Sequence, residues 1–372
     1  MRSSDESSSR DLVCVLETDP TGHRLRYVRH LVTATGPDRC VLLTTREAVE
    51  SNEYATHLRP AGTRFVTLPQ AASRREVLDS ALRWATAASA RLLVVPDGDK
   101  YVVPLLRRRP VLRRTRPEIR LLMMRTATIG GPEGLRPTTA VKPLLVQMLR
   151  RLPGVRVLFL TDAMGVIERR RGYPGLPPVR DPVPRSEADA PRRPEWLPPE
   201  GADTVVGLFG VVSARKNLPL LVQAVAELPH VVLVVAGHLA PNVRRFVETD
   251  PTAVSLCAED RMRLVDRFLD PDEYGAGLSA VDVVALLHDN DAPSGVLGEA
   301  CTRGTPVLVP QGGWLERVVE ATGVGAAVPM TVAGVCAGMT RIMEDRWEYV
   351  EAARAWSATV GTDDFRNRLL GP

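Results

Sequence analysis

The sequence predicts an α/β protein with two Rossmann-like domains, each built on a parallel sheet. Three observations carry this prediction. Short apolar, β-branched runs alternate with amphipathic stretches of helix length. A stretch rich in proline and charge, from Tyr173 to Glu200, interrupts the alternation, which then restarts. The chain has 372 residues, enough for two domains that each bury a core.

Six apolar runs predict strands in the first half. They are Leu12–Leu16, Cys40–Thr44, Arg64–Leu68, Arg91–Val95, Ile119–Met124 and Val155–Leu160. Helices are predicted near 23–34, 46–57, 71–90 and 136–152. Because continuously apolar strands are typical of sheets covered on both faces, we expect these strands to be parallel.

After the proline-rich stretch, five further runs predict a second sheet. They are Thr204–Phe209, Val231–Ala236, Arg261–Val265, Val281–Leu287 and Thr305–Val309. Helices are predicted over 216–228, 241–250, 271–279, 295–303 and 314–322, and residues 330–370 are predicted to be helical throughout. Ligands of such sheets bind at the carboxyl ends of the strands, so a cleft between the two domains is the expected ligand site.

Composition excludes several classes of protein. The five cysteines form no Cys-x-x-Cys pair or Cys/His cluster, so neither disulfides nor a zinc site is predicted. The net charge of +4 is too small to imply nucleic-acid binding. No apolar run is long enough to span a bilayer, and the Ser-rich, charged residues 1–10 are expected to be a disordered tail and not a secretory signal. A cytoplasmic setting is therefore expected.

A cationic turn follows the first strand of the second half. The strand Thr204–Phe209 leads into Gly210, and Arg215 and Lys216 then come just before a predicted helix. Two cations beside unpaired backbone N–H groups suit a phosphate or a diphosphate. The alternative is a basic helix start on the surface. Lys216 is one of only three lysines among 48 basic residues, the others being Lys100 and Lys142.

A second motif lies between residues 291 and 307. Asp291 and Glu299 are eight residues apart, with Ser294 as an expected N-cap and Gly295 as a place where a ligand can approach the backbone. Glu299 on an apolar helix face suits a ribose diol. The strand after this helix leads to Gly312-Gly313, a flexible turn ahead of a helix that begins near Trp314.

These residues resemble the nucleotide-binding domain of retaining GT-B glycosyltransferases similar to glycosyltransferase family 4. The family pattern is a Glu, seven residues and a Glu-Ala pair, followed by Gly-x-Pro-Val and Gly-Gly. Here the corresponding residues are Asp291, Glu299-Ala300, Gly304 to Val307 and Gly312-Gly313. The family's lysine resembles Lys216 in Lys216-Asn217. The resemblance is specific over about 204–325. In the first half, Thr18 to Arg24 resembles the family's glycine loop, and Asp181-Pro182-Val183 stands in place of its Asn-Gly-Val linker.

The resemblance implies a domain organisation. Residues 11–178 would be an N-terminal acceptor-side domain, 179–203 a linker, and 204–345 a C-terminal domain that binds the nucleotide sugar. Residues 346–372 would be helices that pack back on the N-terminal domain.

The resemblance also implies residue roles. Lys216 would neutralise the leaving diphosphate and Glu299 would bind ribose hydroxyls, while Asp291 would touch the sugar or the phosphates. Backbone N–H groups of Ser294, Gly295 and Val296 would bind the diphosphate. Gly22 would allow close approach of the donor. Gly210 is also expected to be a donor-binding residue.

The implied enzyme is a hexosyltransferase-type glycosyltransferase that retains anomeric configuration and needs no metal. It uses no separate cofactor, because the nucleotide-diphospho-sugar is its donor substrate. Fixed cations at the departing diphosphate would stabilise charge that develops in the transition state. Two departures affect this expectation: Val211 stands where the family often has Arg, and Asp291 is one methylene shorter than the family's Glu. Arg215 is the expected replacement cation. These departures leave open a weakened or redirected activity.

Four first-half residues are acceptor-side candidates. Asp97 and Asp99 follow the strand Arg91–Val95 and suit contact with an acceptor hydroxyl, although Asp-Gly-Asp is also good turn chemistry. This turn interpretation is preferred to a metal site. Arg125 ends a strand and His23 lies in the glycine loop; both are equally consistent with surface positions.

A run of arginines from Arg107 to Arg120 forms a basic patch in the sequence. It suits an anionic membrane or an anionic acceptor, but the arginine-rich composition favours a solvated face. Sparse aromatic residues argue against nucleic acid.

Two alternatives to a transferase stay open. One is a nucleotide-sugar epimerase or hydrolase of the same fold. The other is a non-catalytic, sugar-nucleotide-binding partner of another transferase. The donor base and sugar, the acceptor and the oligomeric state are not predicted.

Overall fold

The structure of the protein, a computed structural model, describes residues 11–20, 24–69, 73–108, 117–124, 137–161, 175–183, 193–201, 204–289 and 294–371. The chain divides into two compact units. The first comprises residues 1–182 and 362–372, and the second comprises residues 183–361.

The first unit is built on seven strands that all pair in parallel. In chain order they are β1 Val13–Leu16, β2 Cys40–Thr44, β3 Arg64–Thr67, β4 Leu92–Val95, β5 Glu118–Met123, β6 Val155–Thr161 and β7 Pro178–Arg180. Their order in the sheet is β3-β2-β1-β4-β5-β6-β7. Because the order reverses between β1 and β4, the residues that follow these two strands meet at one edge of the sheet.

The described residues of this unit form seven helices beside the sheet. They are α1 Arg24–Thr35, α2 Arg46–Glu50, α3 Asn52–His57, α4 Arg74–Ala87, α5 Val102–Leu106, α6 Pro137–Leu149 and, from the end of the chain, α15 Asp363–Leu370. Alternate strand residues belong to two separate apolar clusters. Cys14 and Leu16 pack into one cluster, and Val13 and Val15 pack into the other. The sheet is therefore covered on both faces, as the continuously apolar strands predict.

The second unit contains a six-stranded parallel sheet. Its strands are β8 Thr204–Phe209, β9 Val231–Ala236, β10 Met262–Val265, β11 Val283–Ala285, β12 Val307–Pro310 and β13 Gly325–Val328, in the order β10-β9-β8-β11-β12-β13. Its helices are α7 Leu218–Ala226, α8 Pro241–Thr249, α9 Pro251–Ala258, α10 Pro271–Ala280, α11 Gly295–Cys301, α12 Trp314–Thr322, α13 Val332–Glu344 and α14 Arg346–Ser357.

The structure confirms the predicted fold class of two α/β units with parallel sheets. All eleven predicted strands are present, and two further strands, β7 and β13, complete the sheets. Neither carried the expected apolar signal, because β7 is a three-residue strand that begins with a proline and β13 consists largely of small residues.

Two regions predicted as single helices differ in the structure: one is divided into two helices, and the other ends one residue early and is followed directly by a further helix. The stretch 46–57 is two helices, because Ser51 is extended and its hydroxyl accepts a 3.1 Å hydrogen bond from the Tyr54 N–H at the start of α3. The predicted helix 241–250 ends at Thr249, and α9 then begins after Asp250, whose carboxylate caps it.

The end of the chain belongs to both units. Helix α14 packs against α11, α12 and α13 of the second unit, and Trp356 lies beside Gly298 of α11. Only α15 packs against α1 and β7 of the first unit. The two compact units therefore divide the chain at 361/362, whereas the family resemblance implies that all of residues 346–372 pack back on the N-terminal domain.

Candidate functional site

Two glycines bring backbones close together at the carboxyl edge of the second sheet. Strand β8 ends at Phe209, and Gly210 follows it with a φ of 84°. Gly237 follows β9, and a Cβ at this position would lie 2.1 Å from the Gly210 carbonyl oxygen. Only glycine fits at Gly237, so the backbone immediately after β8 is held in place by its neighbour strand.

Lys216 lies just beyond these glycines, in the short 3₁₀ turn Ala214–Lys216 that precedes α7. Its side chain is buried, and its Nζ donates a hydrogen bond to the Phe209 carbonyl oxygen. Burial, aided by the nearby charge of Arg215, lowers the pKa of Lys216 to about 7. The predicted cation is therefore an inward-facing ammonium at the end of β8, while Arg215 is exposed.

Two hydrogen bonds fix this turn to the segment after β11. Asn217 has left-handed backbone angles, and its side-chain amide donates a 2.8 Å bond to the Leu287 carbonyl oxygen. The Asp289 N–H donates a 3.0 Å bond to the Arg215 carbonyl oxygen. The Lys216 turn and the 287–289 segment therefore form one rigid corner of the sheet edge.

His288 lies in this corner. Its imidazole is buried, and its Nε2 has no hydrogen-bond partner among the described residues. Burial, together with the charges of Lys216 and Arg215, lowers the pKa of His288 to about 4. The imidazole is therefore neutral at neutral pH, so it adds hydrogen-bonding capacity and no further positive charge. In the sequence, His288 directly follows the predicted strand Val281–Leu287, and this position indicated that it lies at the carboxyl end of the sheet.

Helix α11 carries the second predicted group of residues. Glu299 is buried within it, beside Gly298, whose Cβ position would lie 2.9 Å from a Val183 side-chain carbon. Ser294 occupies the N-cap position, but its hydroxyl makes no capping hydrogen bond, contrary to the expected N-cap role. Gly295 and Val296 form the partly exposed first turn. The predicted roles of these residues toward a ligand stay predictions.

The glycine pair after β12 forms the predicted turn. Gly312 has a φ of 88°, and its N–H donates a 2.7 Å bond to Glu316 Oε2. Gly313 immediately precedes α12, which begins at Trp314 as predicted.

A cluster of charged side chains lies where β1 and β4 end in the first unit. Asp97 is buried, and its Oδ2 accepts hydrogen bonds from Arg24 Nε at 3.0 Å and from Lys100 Nζ at 2.9 Å. Both cations also pair with Asp19, at 3.2 Å and 2.9 Å. Asp97 Oδ1 has no partner among the described residues. Asp97 is thus an anchor for two cations in this structure.

Glu17 belongs to the same cluster and was not among the predicted residues. Its Oε1 accepts 2.9 Å hydrogen bonds from the N–H groups of Thr18 and Asp19, while its buried Oε2 has no partner among the described residues. Burial raises the pKa of Glu17 to about 7. An acid directly after an apolar strand was the signal in the sequence.

Asp99 is turned away from this cluster. Its carboxylate accepts a 2.7 Å hydrogen bond from the Met124 N–H and pairs with Lys142. The segment Gly98–Lys100 is a 3₁₀ turn, in agreement with the turn interpretation of Asp-Gly-Asp. The acceptor-side roles of Asp97 and Asp99 stay predictions.

Arg120 does not belong to a solvated basic patch. It lies in β5 and is wholly buried, with its Nε 2.8 Å from Glu118 Oε1 and its Nη1 3.3 Å from the Arg368 carbonyl oxygen of α15. The prediction of an exposed patch extending to Arg120 is wrong at this residue, because its position in a central strand turns it inward.

Four predicted site residues, Gly22, His23, Arg125 and Asp291, lie outside the described residues. Within the described ranges, no three His, Cys, Asp or Glu side chains are grouped to hold a metal ion. The five cysteines are free thiols. No helix in the described part of the chain has the length and apolar character needed to cross a membrane.

No family model matches the chain, and no curated protein matches it. Solved structures do match. HepE of Anabaena in complex with UDP is 15% identical over 97% of each chain, with a TM-score of 0.68. Sucrose-phosphate synthase of Thermosynechococcus elongatus is 16% identical, over 96% of this chain and 97% of that chain, with a TM-score of 0.65.

A third similar structure is WaaG, a glycosyltransferase involved in lipopolysaccharide biosynthesis. It is 14% identical, over 97% of this chain and 100% of that chain, with a TM-score of 0.61. At these identities the likeness concerns the fold. The two parallel-sheet units of this chain have the fold of the GT-B glycosyltransferases.

Proposed function

We propose that the protein is a glycosyltransferase that moves a sugar from a nucleotide-diphospho-sugar to an acceptor. The observation that carries the proposal is the placement of Lys216. Its ammonium is buried at the carboxyl edge of a parallel sheet, where ligands of such sheets bind, and it has only the Phe209 carbonyl oxygen as a hydrogen-bond partner in the described residues. A buried cation that pairs with no carboxylate among the described residues suits an anionic ligand.

The chemistry follows from the charge that the reaction develops. Cleavage of the bond between the sugar and the diphosphate leaves negative charge on the departing phosphate oxygens. Lys216 would exchange its bond with the Phe209 carbonyl for one with such an oxygen, and Arg215 would add a second cation. Because the turn is already fixed through Asn217, these groups need little rearrangement to stabilise the transition state.

The remaining donor contacts are assigned by resemblance. Glu299 would accept hydrogen bonds from the ribose hydroxyls, and the N–H groups of Ser294, Gly295 and Val296 would bind the diphosphate. His288, neutral beside Lys216, would hydrogen-bond the bound donor without adding charge. Asp291, Gly22 and Gly210 keep the donor-binding roles that the sequence motif implies.

Similar structures support the donor class. HepE has been solved with UDP, with UDP and glucose, and with UDP-glucose. We therefore propose a nucleoside diphosphate sugar as the donor of this chain, with UDP as the first nucleotide to test. Retention of configuration, a metal-independent reaction, an acceptor bound by the first unit and a cytoplasmic location are further parts of the proposal, and they rest on the family resemblance.

One observation favours a second candidate, a non-catalytic protein that binds sugar nucleotides. Val211, at the position where the family often has Arg, is an exposed apolar side chain and supplies no charge. Such a protein would bind the donor with no turnover for any acceptor tried. An epimerase or hydrolase would instead consume the donor in the absence of an acceptor.

The test compares three variants of the full chain. Lys216→Ala and Glu299→Ala are expected to weaken the binding of UDP and UDP-glucose by at least about tenfold each, on the scale of a lost charge-assisted contact. Arg245→Ala removes an exposed arginine of α8 in the same unit and is the matched control, with no expected change. Calorimetric titration gives the affinities, and product analysis with and without acceptor separates transfer from hydrolysis.

Unchanged binding of all nucleotides in Lys216→Ala and Glu299→Ala, with both variants folded, contradicts the proposal. Inversion of configuration in the product contradicts only the retaining mechanism.

A further inference from the structure

One face of α6 in the first unit is apolar and exposed. Val141, Leu144 and Met148 are 48%, 62% and 39% exposed, whereas Val146 and Leu149 on the same helix are buried in the core. Spacings of three and four residues place the exposed side chains on one side of the helix. A helix on the surface of a protein in water normally has polar residues on its outer side, so this side is suited to an apolar partner.

The exposed apolar surface is not confined to α6. Helix α5 packs against α6, and its Val103 is 42% exposed. Elsewhere in the described residues, exposed large apolar side chains occur singly or in pairs on different elements, such as Val254 on α9. The exposed residues Val141, Leu144 and Met148 are here called the α6 apolar face.

The helices α5 and α6 and the residues that directly follow them carry basic but no acidic side chains. No acidic residue occurs between positions 100 and 117 or between positions 134 and 161 of the sequence, which include α5 and α6. Arg150 and Arg151 directly follow α6 and are exposed, as is Arg107 directly after α5. Exposed apolar side chains with exposed arginines beside them suit the boundary between the headgroups and the acyl chains of an anionic membrane.

We propose that the α6 apolar face, with Arg107, Arg150 and Arg151, docks the protein on the surface of an anionic lipid bilayer. The three apolar side chains would enter the boundary between headgroups and acyl chains, and the arginines would contact lipid phosphates. The proposal concerns a peripheral contact of the first unit and is independent of the donor site in the second.

The positive charge beside the α6 apolar face favours an anionic bilayer over a second copy of the chain as its partner. A symmetric dimer through the α6 apolar face would bring together two surfaces whose flanking exposed charges, Arg107, Arg150 and Arg151, are all positive, and like charges at an interface oppose association. Nucleic acid would leave the apolar centre without a partner, since the α6 apolar face has no aromatic side chain on which bases stack.

The test is co-flotation of the full chain with vesicles. Vesicles of phosphatidylcholine with 30% phosphatidylglycerol, roughly the anionic fraction of a strongly charged leaflet, are compared with pure phosphatidylcholine at low salt and in 0.5 M NaCl, about the ionic strength that screens surface charge. Binding to the anionic vesicles, reduced by salt, is expected.

Three variants make the test specific. Leu144→Glu places a carboxylate in the centre of the α6 apolar face and is expected to lower the partition coefficient by at least about tenfold. Replacing Arg150 and Arg151 by Ser is expected to lower it by about fivefold per arginine. Val254→Glu is the matched control, because it makes the same kind of change at another exposed apolar position, in the second unit, and it is expected to bind as the unmodified protein does.

Thermal unfolding checks that each variant is folded. The proposal is overturned if the unmodified chain does not float with anionic vesicles at low salt, or if Leu144→Glu floats as well as Val254→Glu. A concentration-dependent dimer that Leu144→Glu abolishes, without any vesicle binding, would assign the α6 apolar face to self-association instead.

Discussion

The side-chain amide of Asn217 donates a 2.8 Å hydrogen bond to the carbonyl oxygen of Leu287. This bond joins two loops that are 70 residues apart in the chain and follow neighbouring strands of the second sheet. Lys216 directly precedes Asn217 in the chain, and His288 directly follows Leu287. The relationship therefore sets the position of the cation relative to the neutral imidazole, which is the geometry on which the proposed donor site depends.

Asn217 is expected to stabilise this corner in two separable ways. Its φ of 50° is left-handed, so Asn217→Ala should cost about 1 kcal/mol for the backbone and about 1 kcal/mol for the lost hydrogen bond. Asn217→Gly should lose only the stability that the hydrogen bond contributes. Denaturant unfolding of the two variants measures the difference. Equal destabilisation by Ala and Gly would show that the left-handed backbone contributes nothing.

The affinity for a nucleoside diphosphate is expected to fall as pH rises above 7. The pKa of Lys216 is lowered to about 7 in the free protein, and a bound diphosphate would raise it again, so binding above pH 7 must take up a proton. Calorimetry with UDP-glucose, whose esterified diphosphate has no group that titrates in this range, at pH 6.5 and at pH 8.5 and in buffers of different ionisation enthalpy, detects both effects. The useful comparison is Lys216→Met, which should bind weakly and without this dependence. A pH-independent affinity in the unmodified protein would rule out proton uptake at Lys216.

Glu17 is expected to make the first unit less stable as pH rises from about 4.5 to about 7. The folded-state pKa of Glu17 is raised to about 7 from its usual 4.5, so the folded state binds the proton more tightly. This contribution to stability is complete below the unfolded pKa and is lost as pH rises through the folded pKa, with a size on the order of 3 kcal/mol.

Glu17→Gln removes that titration while keeping the hydrogen-bonding shape of the side chain. Its unfolding temperature relative to the unmodified protein should therefore be higher at pH 8 than at pH 5. If the difference between the two proteins is the same at both pH values, Glu17 does not titrate in this range.

Arg120 is expected to hold α15 to the first sheet. Arg120→Met keeps most of the apolar volume but removes the bonds to Glu118 and to the Arg368 carbonyl oxygen. Glu118 is partly exposed, so water can hydrate its carboxylate after the substitution. The free energy of unfolding should therefore fall by about 1–3 kcal/mol, which is less than the loss expected when a fully buried charge is left unpaired. Proteolysis of the C-terminal segment should become faster, while UDP binding should be unchanged. Resistance equal to that of the unmodified protein would show that α15 is held by its apolar contacts alone.

The sequence by itself determined the elements and the position of one cation. Strands such as Cys40–Thr44, Thr204–Phe209 and Val231–Ala236 coincide with the predicted bounds, because a strand buried on both faces must be apolar throughout. The sequence also indicated that Lys216, in the turn between strand Thr204–Phe209 and the next helix, lies at the carboxyl ends of the parallel strands.

Tertiary structure alone decided which side chains face inward and what they meet. The predicted strand Ile119–Met124 contains Arg120, but only the packed sheet shows that this arginine is wholly buried while its side chain bonds to Glu118 and to the C-terminal helix. Glu17 and Asp97 are 80 residues apart and come together only because β1 and β4 pair. Burial and electrostatic coupling depend on neighbours in space, so the neutral imidazole of His288, the lowered pKa of Lys216 and the exposed side of α6 are properties of the packed chain and not of its local sequence.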